Sequence, residues 1–383
     1  MQLTHALLVT LGILGGGQLG RMTAFAAARL GLDVRILTDV ASGPERAFAN
    51  VTVADWTEPD VLRRWVAGCD VVTVESEWAP ADHLARVLPD ATAQHPSVET
   101  LLTVRHKGRQ RRLLRGASLP QPEHVLCPSR EALLAAPETL AYPVVVKRYE
   151  GSYDGYGNAL CASPAELSDA WGRLAGADGV LAEAFVDFTA ELAVQVARGA
   201  DGTTAVYPVC RSEQHDHRCH AVEVPAGLAS ETELEAQRVA VRAVETIGMV
   251  GIATAELFLL PDGSVLVNEL APRPHNTGHY TIEAAHTSQF ENHVRAVCGL
   301  PLGDPSLRVP AACMINVLGT QEGVVRPDLS AALEAVPEAS VHIYGKQRSR
   351  PKRKMGHVTV TAASAATARR RAEAAAELIG TCS

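Results

Sequence analysis

The chain has no CxxC pair: its eight cysteines, at positions 69, 127, 161, 210, 219, 298, 313 and 382, are scattered in apolar or mixed surroundings. That pattern argues against a disulfide framework and predicts reduced thiols. No apolar run approaches the roughly 20 residues a membrane-crossing helix needs. Residues 1–5, MQLTH, lack the basic stretch of a signal peptide. Positive charge is in deficit as well, with 35 Lys and Arg against 43 Asp and Glu and a formal net charge of -8. This argues against a nucleic-acid partner, although a local basic pocket can still hold a phosphorylated small molecule. There is no internal repeat, and only the alanine-rich stretch 365–378 approaches low complexity. The expectation is a cytoplasmic protein with neither a membrane nor a nucleic-acid partner.

What is present is ordinary globular material, 47% hydrophobic and 20% charged over 383 residues. Such a length exceeds one compact core and predicts two or three units around a cleft. In the first hundred residues, β-branched runs at 34–37, 51–53 and 71–74 alternate with a helical pattern at 59–67, which predicts a parallel doubly wound α/β sheet. An apolar run at 6–14 feeds Gly15-Gly16-Gly17-Gln18-Leu19-Gly20 and then helical spacing through Met22, Ala26 and Leu30. Strand, glycine turn and helix in that order can cradle a phosphate on unpaired N–H groups. Asp39 at the end of the second strand leaves an NAD site open, and a tight turn without ligand is the bland alternative.

A second apparatus lies downstream. A basic helix over 107–115 is closed by Pro120-Gln121-Pro122, and a strand ending at Lys147 runs into the glycine-rich stretch 150–158. A lysine there can meet phosphates while loop N–H groups cover them and exclude water. Glu256 and Glu269 stand on the two strands of a hairpin expected across Pro261-Asp262-Gly263. A carboxylate in an otherwise apolar strand needs a partner, either magnesium, which takes hard oxygen ligands, or a cation such as Arg273. In the run His215-Asp216-His217-Arg218-Cys219-His220 no fourth ligand is placed, so an exposed polar hairpin is preferred to a metal site.

Residues 147–158, the segment NELAPRPHNTGHY at 268–280, SQFE at 288–291 and RKMGH at 353–357 together resemble, in order and spacing, the N5-carboxyaminoimidazole ribonucleotide synthetases of the ATP-grasp superfamily. The resemblance implies an ATP-grasp fold preceded by a Rossmann-like parallel α/β domain and followed by a small β-rich C-terminal domain, with boundaries 1–105, 106–305 and 306–383. It implies a carbon–nitrogen ligase joining bicarbonate to 5-aminoimidazole ribonucleotide at the expense of ATP, with magnesium as cofactor and a homodimer as assembly. Carried over residue by residue, Lys107, Lys147, Ser152, Tyr153, Asp154, Gly155, Tyr156, Gly157 and Asn158 hold the nucleotide phosphates or lie beside them. Glu183, Ala184, Phe185 and Val186 form the adenine hinge, Glu191 meets the ribose, and Gln214 lines the ATP site. Asn268, Glu269 and Glu256 take magnesium, the two glutamates as metal carboxylates.

On the acceptor side, Tyr153, Asp154, Arg353 and Lys354 are expected to act on the aminoimidazole, with Asp154 or a substrate phosphate taking the amine proton. Gly17, Gln18, Leu19, Glu75, His275, Asn276, Lys346, Arg350 and Arg353 are expected around the ribonucleotide, and the N-terminal turn becomes its phosphate cradle. His275 and His279 also read as structural hydrogen-bonders in the Asn276-Thr277-Gly278 turn. The chain departs from the family pattern at Ser152, Tyr156, Asn158, Trp78 and Arg348, all on the acceptor side. An ATP-grasp ligase for another amine or acid, an NAD oxidoreductase using residues 15–20, and a nucleotide-sensing module without turnover remain the competing readings.

Overall fold

The apolar strands of the first hundred residues do form a parallel sheet. The computed structural model describes residues 9–151, 157–216 and 218–382. Strands β1 (Thr10–Leu14), β2 (Asp33–Thr38), β3 (Val51–Val53), β4 (Val71–Val74) and β5 (Ala93–Gln94) lie in the order β3-β2-β1-β4-β5, every pair parallel. Both faces are covered, which is why β1 and β4 are buried almost throughout instead of alternating. Strand order reverses beside β1, so the carboxyl ends of β1 and β4 flank the crevice where such sheets place ligands.

A second, antiparallel sheet contains β6 (His124–Cys127), β7 (Val144–Arg148), β8 (Asn158–Cys161) and β9 (Val180–Ala184), ordered β6-β9-β7-β8. Val144 and Val146 bury against the helices Arg130–Ala135 and Pro164–Leu174. The period of two therefore turns Lys147 to the opposite face, which it shares with Glu183 of β9.

The largest sheet joins the rest of the chain. Its first strands are β10 (Ala190–Arg198), β11 (Thr204–Val206), β12 (Cys210–His215), β13 (Arg218–Val224), β14 (Gly251–Leu259) and β15 (Val265–Ala271). The C-terminal strands are β16 (Ala311–Leu318), β17 (Gly323–Asp328), β18 (Ser340–Ile343), β19 (Arg348–Ser349), β20 (Lys354–Ala362) and β21 (Gly380–Cys382). The path runs β15-β14-β10-β12-β13-β16-β20-β18, with β11 on β10, while β19-β17-β21 form a small separate sheet. Antiparallel pairing of β13 with β16 hydrogen-bonds the C-terminal strands onto the middle of the molecule. Helices Ser230–Thr246 and Ala365–Glu377 bury their alanine and valine faces against the two halves of this sheet. No helix among the described residues is long and apolar enough to cross a membrane.

Candidate active site

A buried charge triad sits between the second and third sheets. Glu183 is 2% exposed, and its two carboxylate oxygens meet Arg111 Nε at 2.5 Å and Lys147 Nζ at 2.6 Å. Burial alone would raise this carboxyl, but Lys147 and Arg111 outweigh it and hold the group down at about 2. Burial lowers Lys147 from its ordinary value, a shift that Glu183 opposes. Arg111 also donates to the carbonyls of Val267 and Asn268 at 2.8 Å, pinning the middle of β15 to the helix Lys107–Gly116. Lys147 Nζ then reaches the Asn268 amide oxygen at 3.4 Å. Arg111 was not among the candidates from sequence; one arginine in a basic helix carries no signal until Glu183 is known to be buried.

The β14–β15 hairpin supplies the acids. Glu256 and Glu269 are register partners, and the register shifts just beyond them, so that Leu257 pairs with Val267 and Asn268 is the extra residue. The bulge breaks the alternation of side chains, and both Asn268 and Glu269 line the same cleft as Glu256. Burial raises the Glu256 carboxyl to about 7, helped by the negative charges of Glu269 and Glu191. Lys107 Nζ lies 2.8 Å from Glu269. His275 Nε2 lies 3.2 Å from Glu256, and burial together with Arg273 and Lys354 keeps this imidazole neutral, so the contact is not an ion pair. Two carboxylates and an amide oxygen are the hard donor set a magnesium ion takes, and Lys107 offsets only part of the repulsion between the two acids. Arg273, expected as the alternative partner of these acids, instead holds Glu77 at 2.6 and 3.2 Å. Glu191 is hydrogen-bonded by Gln214 and raised by burial.

The N-terminal glycine turn has a different occupant. Gly17 N–H and Gly20 N–H donate to the two oxygens of Glu75 at 2.9 and 2.7 Å. A Cβ at Gly15 would fall 2.0 Å from Glu75 Cγ, and one at Gly17 would fall 2.4 Å from its Oε1. The glycines therefore make room for the chain's own carboxylate at the start of the helix Gln18–Arg29. A dinucleotide pyrophosphate would meet that carboxylate in the same place, and Asp39 is exposed, so the NAD reading fails on geometry. The same carboxylate takes the Gly17 and Gly20 N–H groups expected to cradle the ribonucleotide phosphate, so that expectation fails too, although Gln18, Leu19 and Glu75 line the cleft.

That cleft, of about 590 Å³, gathers side chains from all three parts of the chain: Gln18 and Glu75, then Glu191, Glu256 and Glu269, then Lys354. Asn158 also lines it, standing opposite Lys147 in register. Lys346 donates to the Lys354 carbonyl at 2.7 Å, and burial with Arg353 and Lys354 pushes its ammonium down to about 7. Arg353 donates to the Arg348 carbonyl at 2.7 Å, and Arg350 is exposed. The Asn276 amide exchanges hydrogen bonds of 3.0 and 2.8 Å with Asn316 of β16, while His279 Nδ1 accepts from Gln289 Nε2 at 3.1 Å.

At the expected hinge, Ala184 N–H donates to Glu123 O at 2.9 Å and Phe185 N–H to Pro143 O at 3.4 Å, so those two groups are already engaged. The Glu183 side chain points into the charge triad. Phe185 is 49% exposed, and Val186 follows it out of the sheet. Ser152, Tyr153, Asp154, Gly155 and Tyr156 lie outside the described residues, and so does His217; Gly157 accepts from Arg148 N–H at 2.8 Å. His215 bonds Glu213 and stacks on His220 with centroids 4.2 Å apart, and no cluster of three or more metal-binding side chains occurs among the described residues.

Three family models match the chain: a ribonucleotide synthetase preATP-grasp domain over residues 8–104, an ATP-grasp domain over 112–290, and a phosphoribosylaminoimidazole carboxylase C-terminal domain over 312–371. The chain is 39% identical to the N5-carboxyaminoimidazole ribonucleotide synthase of Mycobacterium tuberculosis, covering 95% of this chain and 86% of that protein. It is also 39% identical to phosphoribosylaminoimidazole carboxylase of Schizosaccharomyces pombe, of whose length it spans 66%. Among solved structures, carboxyaminoimidazole ribonucleotide synthase of Aspergillus clavatus complexed with ATP superposes with a TM-score of 0.87 at 33% identity, covering 97% of this chain and 98% of that one. The synthetase of Thermotoga maritima gives 0.86 at 34% identity over 98% and 99%.

Proposed function

Because this chain belongs to the N5-carboxyaminoimidazole ribonucleotide synthase family, we propose that it carboxylates 5-aminoimidazole ribonucleotide with ATP and bicarbonate. The products are N5-carboxyaminoimidazole ribonucleotide, ADP and phosphate, a step of purine biosynthesis. The observation that carries this reading is the single cleft in which the hairpin acids face both the N-terminal turn and Lys354. Support on the ligand side comes from two Aspergillus clavatus structures, one complexed with ATP and one with ADP and 5-aminoimidazole ribonucleotide.

Lys147, fixed by Glu183, presents an ammonium where the β- and γ-phosphates develop charge as bicarbonate is phosphorylated. Glu256, Glu269 and Asn268 would hold magnesium, which supplies charge neutralisation on the phosphates when bound. Bicarbonate is a poor electrophile, and phosphorylation makes it carboxyphosphate, which delivers carbon dioxide or its equivalent to the substrate amine. Lys346, Arg350 and Arg353 offer cations for the ribonucleotide phosphate, with Gln18 and Leu19 across the cleft. Tyr153 and Asp154 complete the acceptor side in this reading. Working boundaries near residues 105 and 305, a homodimer formed through the first unit and a cytoplasmic location belong to the same proposal.

Phosphate release tests it. Release that requires ATP, bicarbonate and the ribonucleotide together is the expected result. Release indifferent to the ribonucleotide would overturn the acceptor while leaving an ATP-grasp ligase, and tight ATP binding without release under any condition would indicate a sensing module.

A further inference from the structure

Lys346 occupies the connection between β18 and β19, and both of its chain neighbours are gripped by the crossover between β2 and β3, some three hundred positions earlier. Gly43 in that crossover has φ of +115°, and a Cβ there would stand 2.3 Å from the Gly345 carbonyl oxygen. Gly345 has φ of +80°, and its own Cβ would stand 3.3 Å from Arg21 Nη1. On the other side of Lys346, Gln347 N–H donates to Ser42 O at 3.5 Å. With its amide oriented to satisfy both partners, the Gln347 oxygen accepts from Arg46 Nε at 3.1 Å.

The gripping loop is itself held firmly. Glu45 is 2% exposed and takes the Gly43 N–H on its two carboxylate oxygens at 3.0 and 2.8 Å. Arg21 donates to Pro44 O at 3.1 Å, which fastens the short turn Pro44–Ala47 to the helix that begins at the glycine turn. Lys346 in turn has its ammonium 2.7 Å from the Lys354 carbonyl and 5.6 Å from the centre of the Tyr344 ring. A flexible four-carbon side chain is a poor positioner unless its backbone is fixed. Here the backbone is fixed on both sides, from a different sheet.

We propose that the crossover at residues 42–47, acting through Gly43 and Arg46, is a positioning element for Lys346 and sets where its ammonium meets the phosphate of the acceptor. In a sheet of this topology the loop after the second strand is where a dinucleotide ribose would be read. In this chain it is turned onto the C-terminal part, and the two ends of the sequence build one phosphate-facing corner. The inference rests on the proposed role of Lys346.

The test compares Gly43→Ala, Arg46→Met, Arg46→Lys and Lys346→Met in steady-state assays of phosphate release with ATP, bicarbonate and the ribonucleotide. Lys346→Met should raise KM for the ribonucleotide by roughly a hundredfold, Gly43→Ala by roughly tenfold and Arg46→Met by roughly threefold. The KM for ATP and kcat at saturating ribonucleotide should stay within about twofold for the Gly43 and Arg46 variants, and Arg46→Lys should restore part of the loss. Adding Arg46→Met to Lys346→Met should raise KM no further, because the positioned group is gone. An unchanged KM in Lys346→Met would overturn the phosphate role and the inference together. A raised KM there, with normal ribonucleotide KM in Arg46→Met and in a folded Gly43→Ala, would overturn the positioning role alone. Should Gly43→Ala fail to fold, the Arg46 pair and the double variant decide by the same criteria.

Discussion

The turn at residues 15–20 and the β14–β15 hairpin both offer the machinery of a nucleotide site, one as unpaired N–H groups at a helix start, the other as acids facing a cleft. In the turn, the donors of Gly17 and Gly20 are met by Glu75, a residue of the same chain. In the hairpin, Glu256 and Glu269 oppose each other, and the cations that act on them, Lys107 and Lys354, come from other elements. The difference lies in whether the polar groups are satisfied from within. A glycine turn whose N–H groups are already bonded is architecture, whereas two acids brought together at a cleft with one lysine against them keep a surplus of negative charge that favours a cation.

The comparison implies that the cleft side depends on charge balance, and Glu183 is where it is most exposed to challenge. Glu183→Gln leaves Lys147 and Arg111 buried without a carboxylate and should cost about 3–5 kcal/mol in urea unfolding. Because the folded carboxyl is depressed to about 2, the advantage of the parent over this variant is present above the free carboxyl value of about 4.3 and is lost as pH falls toward 2. A gap that does not shrink in acid would mean that packing, not charge, holds the triad. Next in size, Glu269→Gln should lower turnover about a hundredfold, some 2.7 kcal/mol of transition-state stabilisation, while the melting temperature stays near that of the parent. Near-normal turnover in this variant would move the metal elsewhere and dissolve the contrast between the two regions.

Much of this was legible in the sequence. Strands β2, β3 and β4 follow from short β-branched runs, β1 from the apolar run before the glycine turn, and the hairpin from Pro261-Asp262-Gly263 between apolar stretches, because local pattern and tertiary burial agree there. The pairing of Glu256 with Glu269 follows from the hairpin, but the bulge that turns Asn268 to the same side does not, since one extra residue leaves no periodic trace. Glu75 stood among the expected substrate residues, but its grip on the turn, like the whole role of Arg111, was illegible for a different reason. Each acts across 55 or more positions, on Gly20 in one case and on Glu183 in the other. The same holds for Arg273, whose partner Glu77 lies in the turn after β4 and not on the hairpin beside it. The glycine turn misleads because the spacing that admits a phosphate also admits a buried carboxylate.

A smaller effect belongs to the turn. Glu75→Gln keeps one acceptor oxygen and sets an NH₂ group against an N–H donor, which should cost about 1–2 kcal/mol in thermal unfolding. NADH fluorescence should show no binding in either the parent or the variant. Binding that appears when the carboxylate is neutralised would mean that the turn is a nucleotide site after all, masked by Glu75, and the two regions would no longer differ in kind.

The smallest effect concerns Glu256, whose carboxyl is raised from 4.5 to about 7 by burial and by Glu269 and Glu191. A raised folded value means that the metal-free fold favours the protonated acid. Its contribution is therefore complete below the unfolded value near 4.5 and is lost as pH rises through about 7, with no further change above. The Glu256 side chain is 30% exposed, and solvent screening limits the effect to about 1 kcal/mol or less. Glu256→Gln is neutral at every pH and escapes that loss, so in the presence of a chelator its melting temperature should gain on that of the parent between pH 5 and 8. Manganese added at pH 8 should restore the parent and leave the variant unmoved, because only the parent regains a counter-charge for an acid the fold has left in surplus. Parallel melting curves across that range would mean the hairpin acids are satisfied from within, as the glycine turn is.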